Sequence, residues 1–447
     1  MADVKIALKI VSDLKNFISI CLTDPLLLNL FRNSKTHFTR DRKLNFERLV
    51  LLIAKMCKRT LSVELEGFFG ELGKKISCSV SAFSQQRSKL SPLFFLVWNR
   101  VLCESFLRHA PGDTRRWMGY RLIAVDGSNL ALVNTPSLQA NFGGQSNQNS
   151  SFVQAKTFYH YDVLNDLVTH ACIAPYRTSE LTLASHWIEE LPVDSIAIYD
   201  RYYSTFKMFA LHSWQESERK FVIRAKDSLE FVKRFLKTGK VSQVIELAPT
   251  QASISGLRQS GFATDSSTRI RIRLVRVELQ STTEVIATNL WQEEGFENDM
   301  FGDLYFRRWG VETNISKLKN TMQMESFSGL TVESVEQDFY ATVMMSNLHS
   351  ILIRDAQVQL DRDTSTKKYP QKVNGNKSFG KLKENLIAIF FKNREREILR
   401  ELTAYFLKDT LPIRKGRSFP RQLKTSNKKC KHRTYTKLQT GMIKSLT

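Results

Sequence analysis

A chain of 447 residues is long enough for two or three domains and a sizeable buried core. Its 66 Lys and Arg stand against 44 Asp and Glu, a formal charge of +22 and a pI near 9.7, which points to a polyanionic partner, with nucleic acid ahead of an anionic membrane surface. No apolar run reaches transmembrane length, and the start, with Asp3, Lys5, Lys9, Asp13 and Lys15, lacks a signal-peptide core, so a soluble cytoplasmic protein with no membrane partner is expected. Cys21, Cys57, Cys78, Cys103, Cys172 and Cys430 show no Cys-x-x-Cys pair and no nearby His, which argues against zinc and for reduced thiols. No Gly-rich phosphate loop is present, so no nucleotide cofactor is indicated.

Residues 1–112 read as a helical N-terminal domain, with apolar periodicity in Leu26 to Phe31, Phe46 to Met56 and Phe94 to Leu107 between basic clusters. Within it, Leu61 to Phe69 and Ser79 to Leu90, joined by a turn around Gly73 to Ser77, resemble a helix-turn-helix. The second helix carries Gln85, Gln86, Arg87 and Lys89, residue types able to reach base edges or phosphates, although polar helical hairpins are more often plain structure.

Pro111-Gly112-Asp113 marks a turn and a domain boundary. The apolar run Arg121 to Val125 then predicts a buried strand ending in Asp126-Gly127. Strands follow at Ser151 to Phe158 and Asp166 to Ala174, then a helix at Thr178 to Leu191. A second apolar strand, Ser195 to Tyr199, again ends in an acid, Asp200. A helix from Ser204 and a strand Phe221 to Lys226 come next. Residues 227–300 exceed what the alternation needs and read as a β-rich insertion, in which Arg269, Arg271, Arg273 and Arg276 alternate with apolar residues and predict a strand with a cationic face. Its partner strand is Glu284 to Leu290, across a turn at Gln280 to Thr283.

The spacing predicts one helix over 303–323. At about 100° per residue, Leu304, Val311, Ile315, Leu318 and Met322 form a core stripe, while Tyr305, Arg308, Glu312 and Lys319 line its shoulder. A solvated face would lie opposite the core, so acids and bases along its border suggest the wall of a cleft; an ordinary i,i+4 pair between Arg308 and Glu312 is the plainer reading. Val332 to Ala356 continues as an apolar helix closing a domain of 113–356. Residues 357–447 form a basic C-terminal region, with eleven Lys or Arg and no Asp or Glu from Thr410 onward.

Tyr305, Arg308, Glu312 and Lys319, with Asp126-Gly127 and Tyr199-Asp200-Arg201 before them, resemble the signature of bacterial DDE transposases of the insertion-sequence family four type, over about 115–355. The chain has Tyr202 where that family usually has Gly or Ala. The resemblance implies an RNase H-like α/β catalytic domain in which Asp126, Asp200 and Glu312 are catalytic and hold Mg²⁺ or Mn²⁺, two ions in all. Tyr305, Arg308 and Lys319 would contact DNA phosphates. Trp309, beside Arg308, could stack on a displaced base or be a partly buried aromatic. It further implies cut-and-paste movement of an insertion sequence: binding of terminal inverted repeats, cleavage through a hairpin, transfer of 3′-hydroxyl ends to target DNA, a homodimer in the synaptic complex, and a place in the bacterial cytoplasm at the nucleoid. A metal-dependent nuclease on the same scaffold and a catalytically inactive DNA-binding descendant are the alternatives.

Overall fold

The structure is a computed structural model that describes residues 4–414, apart from 41, 56–57, 75–76, 148–149, 215–217, 280–281 and 367. Cys57, Cys430, the basic tail beyond Arg414 and parts of the turns expected at Gly73 to Ser77 and Gln280 to Thr283 lie outside the described residues. The fold is mixed α/β: a nine-stranded sheet with helices on both faces.

In chain order the strands are β1 (Arg121–Ala131), β2 (Gly144–Asn147), β3 (Ser150–Asp162), β4 (Leu167–Pro175), β5 (Ser195–Tyr199), β6 (Lys220–Arg224), β7 (Ser242–Leu247), β8 (Ile270–Glu278) and β9 (Thr283–Thr288). They lie in the order β2-β3-β1-β5-β6-β9-β8-β7, with β4 also on β3. Only β1, β5 and β6 run parallel, and these are the strands that read as unbroken apolar runs: all five residues of β5 are buried. That follows from helices covering both faces of a parallel pair, which leaves no side for alternation.

Three expectations about the sheet change. β1 does not end at Asp126 but continues to Ala131, because β3 pairs with it as far as Ala131 while the ladder to β5 stops at Ala124. The strands of 227–300 form no sheet of their own; β9 pairs antiparallel with β6, so they extend the main sheet. β8 presents no continuous cationic face. Arg273 is 1% exposed and donates to the carbonyls of Leu290 and Phe296, to Asn298 Oδ1 and to Ser242 Oγ, so a charge alternating in sequence is here an interior strut.

Among the described residues six helices, Lys5–Thr23, Pro25–Leu30, Phe46–Ala54, Leu61–Glu71, Val80–Arg87 and Leu93–His109, precede the sheet. They pack around the 32-residue helix Val332–Asp363, whose N-terminus is closed by a capping box between Thr331 and Ser334. This helix is buried on every side over most of its length, so its polar residues find partners inside: Asn347 donates to Asn99 Oδ1 and the Val168 carbonyl and accepts from the Val168 amide, fixing β4 to the helices. The recognition-helix idea does not hold at two of its residues. Gln86 donates to the Leu44 carbonyl, and Arg87 is buried against Gln337, Ser328, Ser334 and Asp338, where it joins the N-terminal helices to the long one.

Residues 357–414 are not only a basic region. Helices Gly375–Phe391 and Glu395–Lys408 bury Leu382, Leu386, Leu399 and Phe406 in the cluster that also takes Leu14 and Leu52 from the N-terminal helices and Tyr159 from β3. No helix among the described residues is long and apolar enough to cross a membrane. The four described cysteines are free thiols.

Candidate active site

Asp126 and Asp200 owe their place to the parallel pair. Ala124 stands opposite Ile198 in the register, so two residues further along Asp126, within β1, comes opposite Asp200, just past the end of β5, where the ladder between the two strands has stopped. Alternation puts both on the face of Leu122, Ile196 and Ile198. That face is covered by Phe301, Leu304 and Tyr305 of the helix that leads to Glu312. Asp200 also caps the short turn Arg201–Tyr203, accepting from the Tyr202 amide at 2.7 Å.

The stretch 303–323 is not one helix. It comprises Met300–Phe306, Trp309–Ser316 and a wide turn, Lys317–Thr321, of π type. The first break is a local tightening: the amides of Arg308, Gly310 and Val311 bond three residues back, to Tyr305, Arg307 and Arg308. Despite the breaks, Tyr305 and Arg308 are buried while Glu312 and Lys319 are half-buried, so the four do lie along the edge of the core face.

Arg308 is the hub. Its Nη2 donates to Glu312 Oε1 at 2.9 Å and its Nη1 stands 3.9 Å from Asp126 Oδ2, so one guanidinium serves two of the three acids. Its plane lies against the rings of Trp309 (4.8 Å) and Tyr305 (5.9 Å). Its Nε is buried without a partner, which leaves one donor for a further acceptor. Trp309 is half exposed. Lys319 comes off the π turn onto β1 just past Asp126, donating to Ser128 Oγ at 2.7 Å and to the Asn129 carbonyl, with Glu325 at 3.9 Å.

Burial pushes the Asp126 carboxyl up to about 7. The Gly127 amide draws it down, Glu180 raises it, Arg308 opposes, and Asp200 raises it again. Glu180, in the first turn of helix Glu180–His186, is the acid that sequence reading missed. Nothing marks it in the chain except Gly127, because a Cβ at 127 would meet the Glu180 side chain at 2.4 to 2.7 Å. Lys156 of β3 pairs with it at 3.0 Å.

Carboxylate oxygens beside a carboxyl that resists ionisation have the donor chemistry a hard divalent cation requires. Among the described residues no three of them close to metal-holding spacing, and Arg308 stands between Asp126 and Glu312. The residues therefore fit such an ion in kind, with Arg308 neutralising the acids in the arrangement seen.

The profile of the family described as Transposase DDE domain matches residues 117–348, just over half of the chain and all of the acids above. Domains of this kind generally use divalent metal ions. The transposase InsG for insertion sequence element IS4 of Escherichia coli (strain K12) is 23% identical over 317 residues, 69% of this chain and 68% of that protein. The putative transposase InsZ of the same organism is 27% identical over 150 residues, 32% of this chain and 48% of that protein. A chain in the cryo-EM structure of a piggyBac transposase synaptic complex with hairpin DNA aligns over 97% of this chain and 90% of its own, at 13% identity and a TM-score of 0.42, too low to carry an argument. The chain belongs to the transposase DDE-domain family, and it is a DNA-cleaving transposase of the IS4 type.

Proposed function

We propose that this transposase moves an insertion sequence by cut and paste, with Asp126, Asp200 and Glu312 as the catalytic acids of an RNase H-like domain. The observation that carries the reading is the shared guanidinium: residues 186 apart in sequence, Asp126 and Glu312, flank Arg308 beside the end of β5, where Asp200 also lies. The three acids would hold Mg²⁺ or Mn²⁺, two ions in all, which would supply a neutralising charge and activate water at the phosphodiester. Water attacks phosphorus and the 3′ oxygen leaves. The freed 3′-hydroxyl attacks the opposite strand to form a hairpin, a second water reopens it and regenerates the 3′-hydroxyl, and that hydroxyl then attacks a target phosphodiester; each step breaks one P–O bond as it makes one, so no nucleotide cofactor is consumed.

The other side chains do the positioning. A scissile-strand phosphate offers Arg308 an anion to set against its two acids, and the unpartnered Nε gives it a donor to spend there. Lys319 and the Tyr305 hydroxyl grip adjacent phosphates, and Trp309 stacks on a base displaced at the end. Residues 1–112 contact the terminal inverted repeats through the exposed loop of Lys35, Arg40, Arg42 and Lys43. The tail from Arg414 adds basic charge for target DNA, and a homodimer holds the two ends together. Asp126→Ala and Glu312→Ala should abolish Mg²⁺-dependent nicking of end DNA while leaving binding in EDTA intact. Nicking at the wild-type rate would sink the assignment, and nicking without joining of 3′-hydroxyl ends would leave a nuclease.

A further inference from the structure

We propose that Glu180 is a fourth carboxylate of the catalytic centre, holding the divalent cation together with Asp126 and Asp200, and that the Tyr203 hydroxyl donates to the water or phosphate oxygen bound there. The inference rests on the reading of the acids given above and adds a member to their set, from the face of the sheet opposite Glu312.

Two observations lead to it. First, the space that Glu180 fills exists only because residue 127 is glycine. A Cβ there would lie 2.4 Å from Glu180 Cγ, 2.5 Å from Cδ and 2.7 Å from Oε1, so any other residue would push this carboxylate away from Asp126. Gly127 lies in the extended β1 strand with no positive φ, so the backbone itself does not call for glycine. Second, Tyr203 is fully buried in the turn that Asp200 caps, and its hydroxyl has no hydrogen-bond partner among the described residues; burial first, then Glu180, Asp126, Asp200 and Tyr199, hold its proton on. A buried phenol without a partner amid three carboxylates is a donor placed for something those carboxylates hold.

The basic neighbours complete the picture. Lys156 stands 3.0 Å from Glu180 as Arg308 stands 2.9 Å from Glu312, so each outer acid has a cationic partner of its own. A mere cross-element salt bridge between Lys156 and Glu180 would explain the first contact but neither the glycine nor the orphaned phenol.

The test uses the full chain and Mn²⁺ alone, with free Mn²⁺ read by electron paramagnetic resonance. Glu180→Gln keeps the shape and removes the charge, and it should weaken Mn²⁺ binding by roughly tenfold or more, with Glu180→Asp between it and wild type. Gly127→Ala should reproduce the defect without touching any acid. Binding of end DNA in EDTA checks that each variant is folded. Wild-type Mn²⁺ affinity in Glu180→Gln and Gly127→Ala, with loss in Asp126→Asn, would overturn the proposal and leave the three-acid centre standing. Should Asp126→Asn also bind normally, the centre itself has been misplaced and Glu180 falls with it.

Discussion

Arg87 and Arg308 are both buried guanidiniums facing acids, yet they do opposite work. Arg87 spends its donors on Gln337 Oε1, Ser328 Oγ, the Ser334 carbonyl and Asp338 Oδ1, and Gln337 returns two bonds to the Arg87 and Leu90 carbonyls. The acid it meets is 7% exposed at the side chain. Arg308 leaves Nε unpartnered, stretches to 3.9 Å to reach Asp126, and meets a Glu312 whose side chain is 36% exposed. A guanidinium that has used its donors is architecture. One that holds a donor back among half-open acids is poised for an anion that arrives later.

The contrast is broken or sharpened most strongly at Arg87. Arg87→Met strands the Asp338 carboxylate in the interior, and a buried pair broken on one side costs about 3–5 kcal/mol, read as a shift in the urea unfolding midpoint. Nicking per folded molecule should not change. Arg308→Met should do the reverse: about 1 kcal/mol or less in unfolding, because water reaches Glu312, but roughly a hundredfold or more in nicking of end DNA. Equal unfolding costs for the two variants would erase the distinction drawn here.

The residues of the candidate site were more legible in the sequence than the architecture, for physical reasons visible in these residues. Asp126 and Asp200 directly follow apolar runs, and the Tyr305 to Lys319 stretch follows a helical period, both local features of the chain. The apolar runs around the two aspartates announce β1 and β5 directly, and the core-edge placement of Arg308 and Glu312 survived even though the helix broke. Arg87 and Arg273 misled because a charged residue that finds its partners far along the chain, at Asp338 or at the Phe296 carbonyl, looks the same in sequence as one that faces DNA. Glu180 was hidden for a related reason, since its only trace is a missing side chain 53 residues earlier, at Gly127. The helices Gly375–Phe391 and Glu395–Lys408 were masked by the basic residues that dot their exposed faces.

The smallest expected effect concerns acid, and it separates the two regions by sign. His349 lies on the same long helix as Asp338, fully buried, with Nε2 2.8 Å from Ser378 Oγ. Burial pushes its pKa down to about 3, Lys317 adds to the fall, and Asp166 opposes it. The unfolded chain takes up this proton as pH drops through about 6.5 while the folded one refuses it. The stability is therefore complete above that pH and drains away at up to about 1.4 kcal/mol per pH unit toward pH 3. Between pH 7 and 6 the loss is under about 1 kcal/mol, so the measurement is the difference between wild type and His349→Gln in urea at pH 7, 6 and 5. The variant should lose less on acidification; parallel curves would remove His349 as the cause. Asp126 behaves the other way. Its carboxyl, held at about 7, keeps its proton in the fold long after the unfolded chain has lost it, so acidification relieves the site and the penalty there grows as pH rises toward 7. Acid thus loosens the helical framework while easing the repulsion at the acids, as expected if only the framework was built to stand complete without a bound cation.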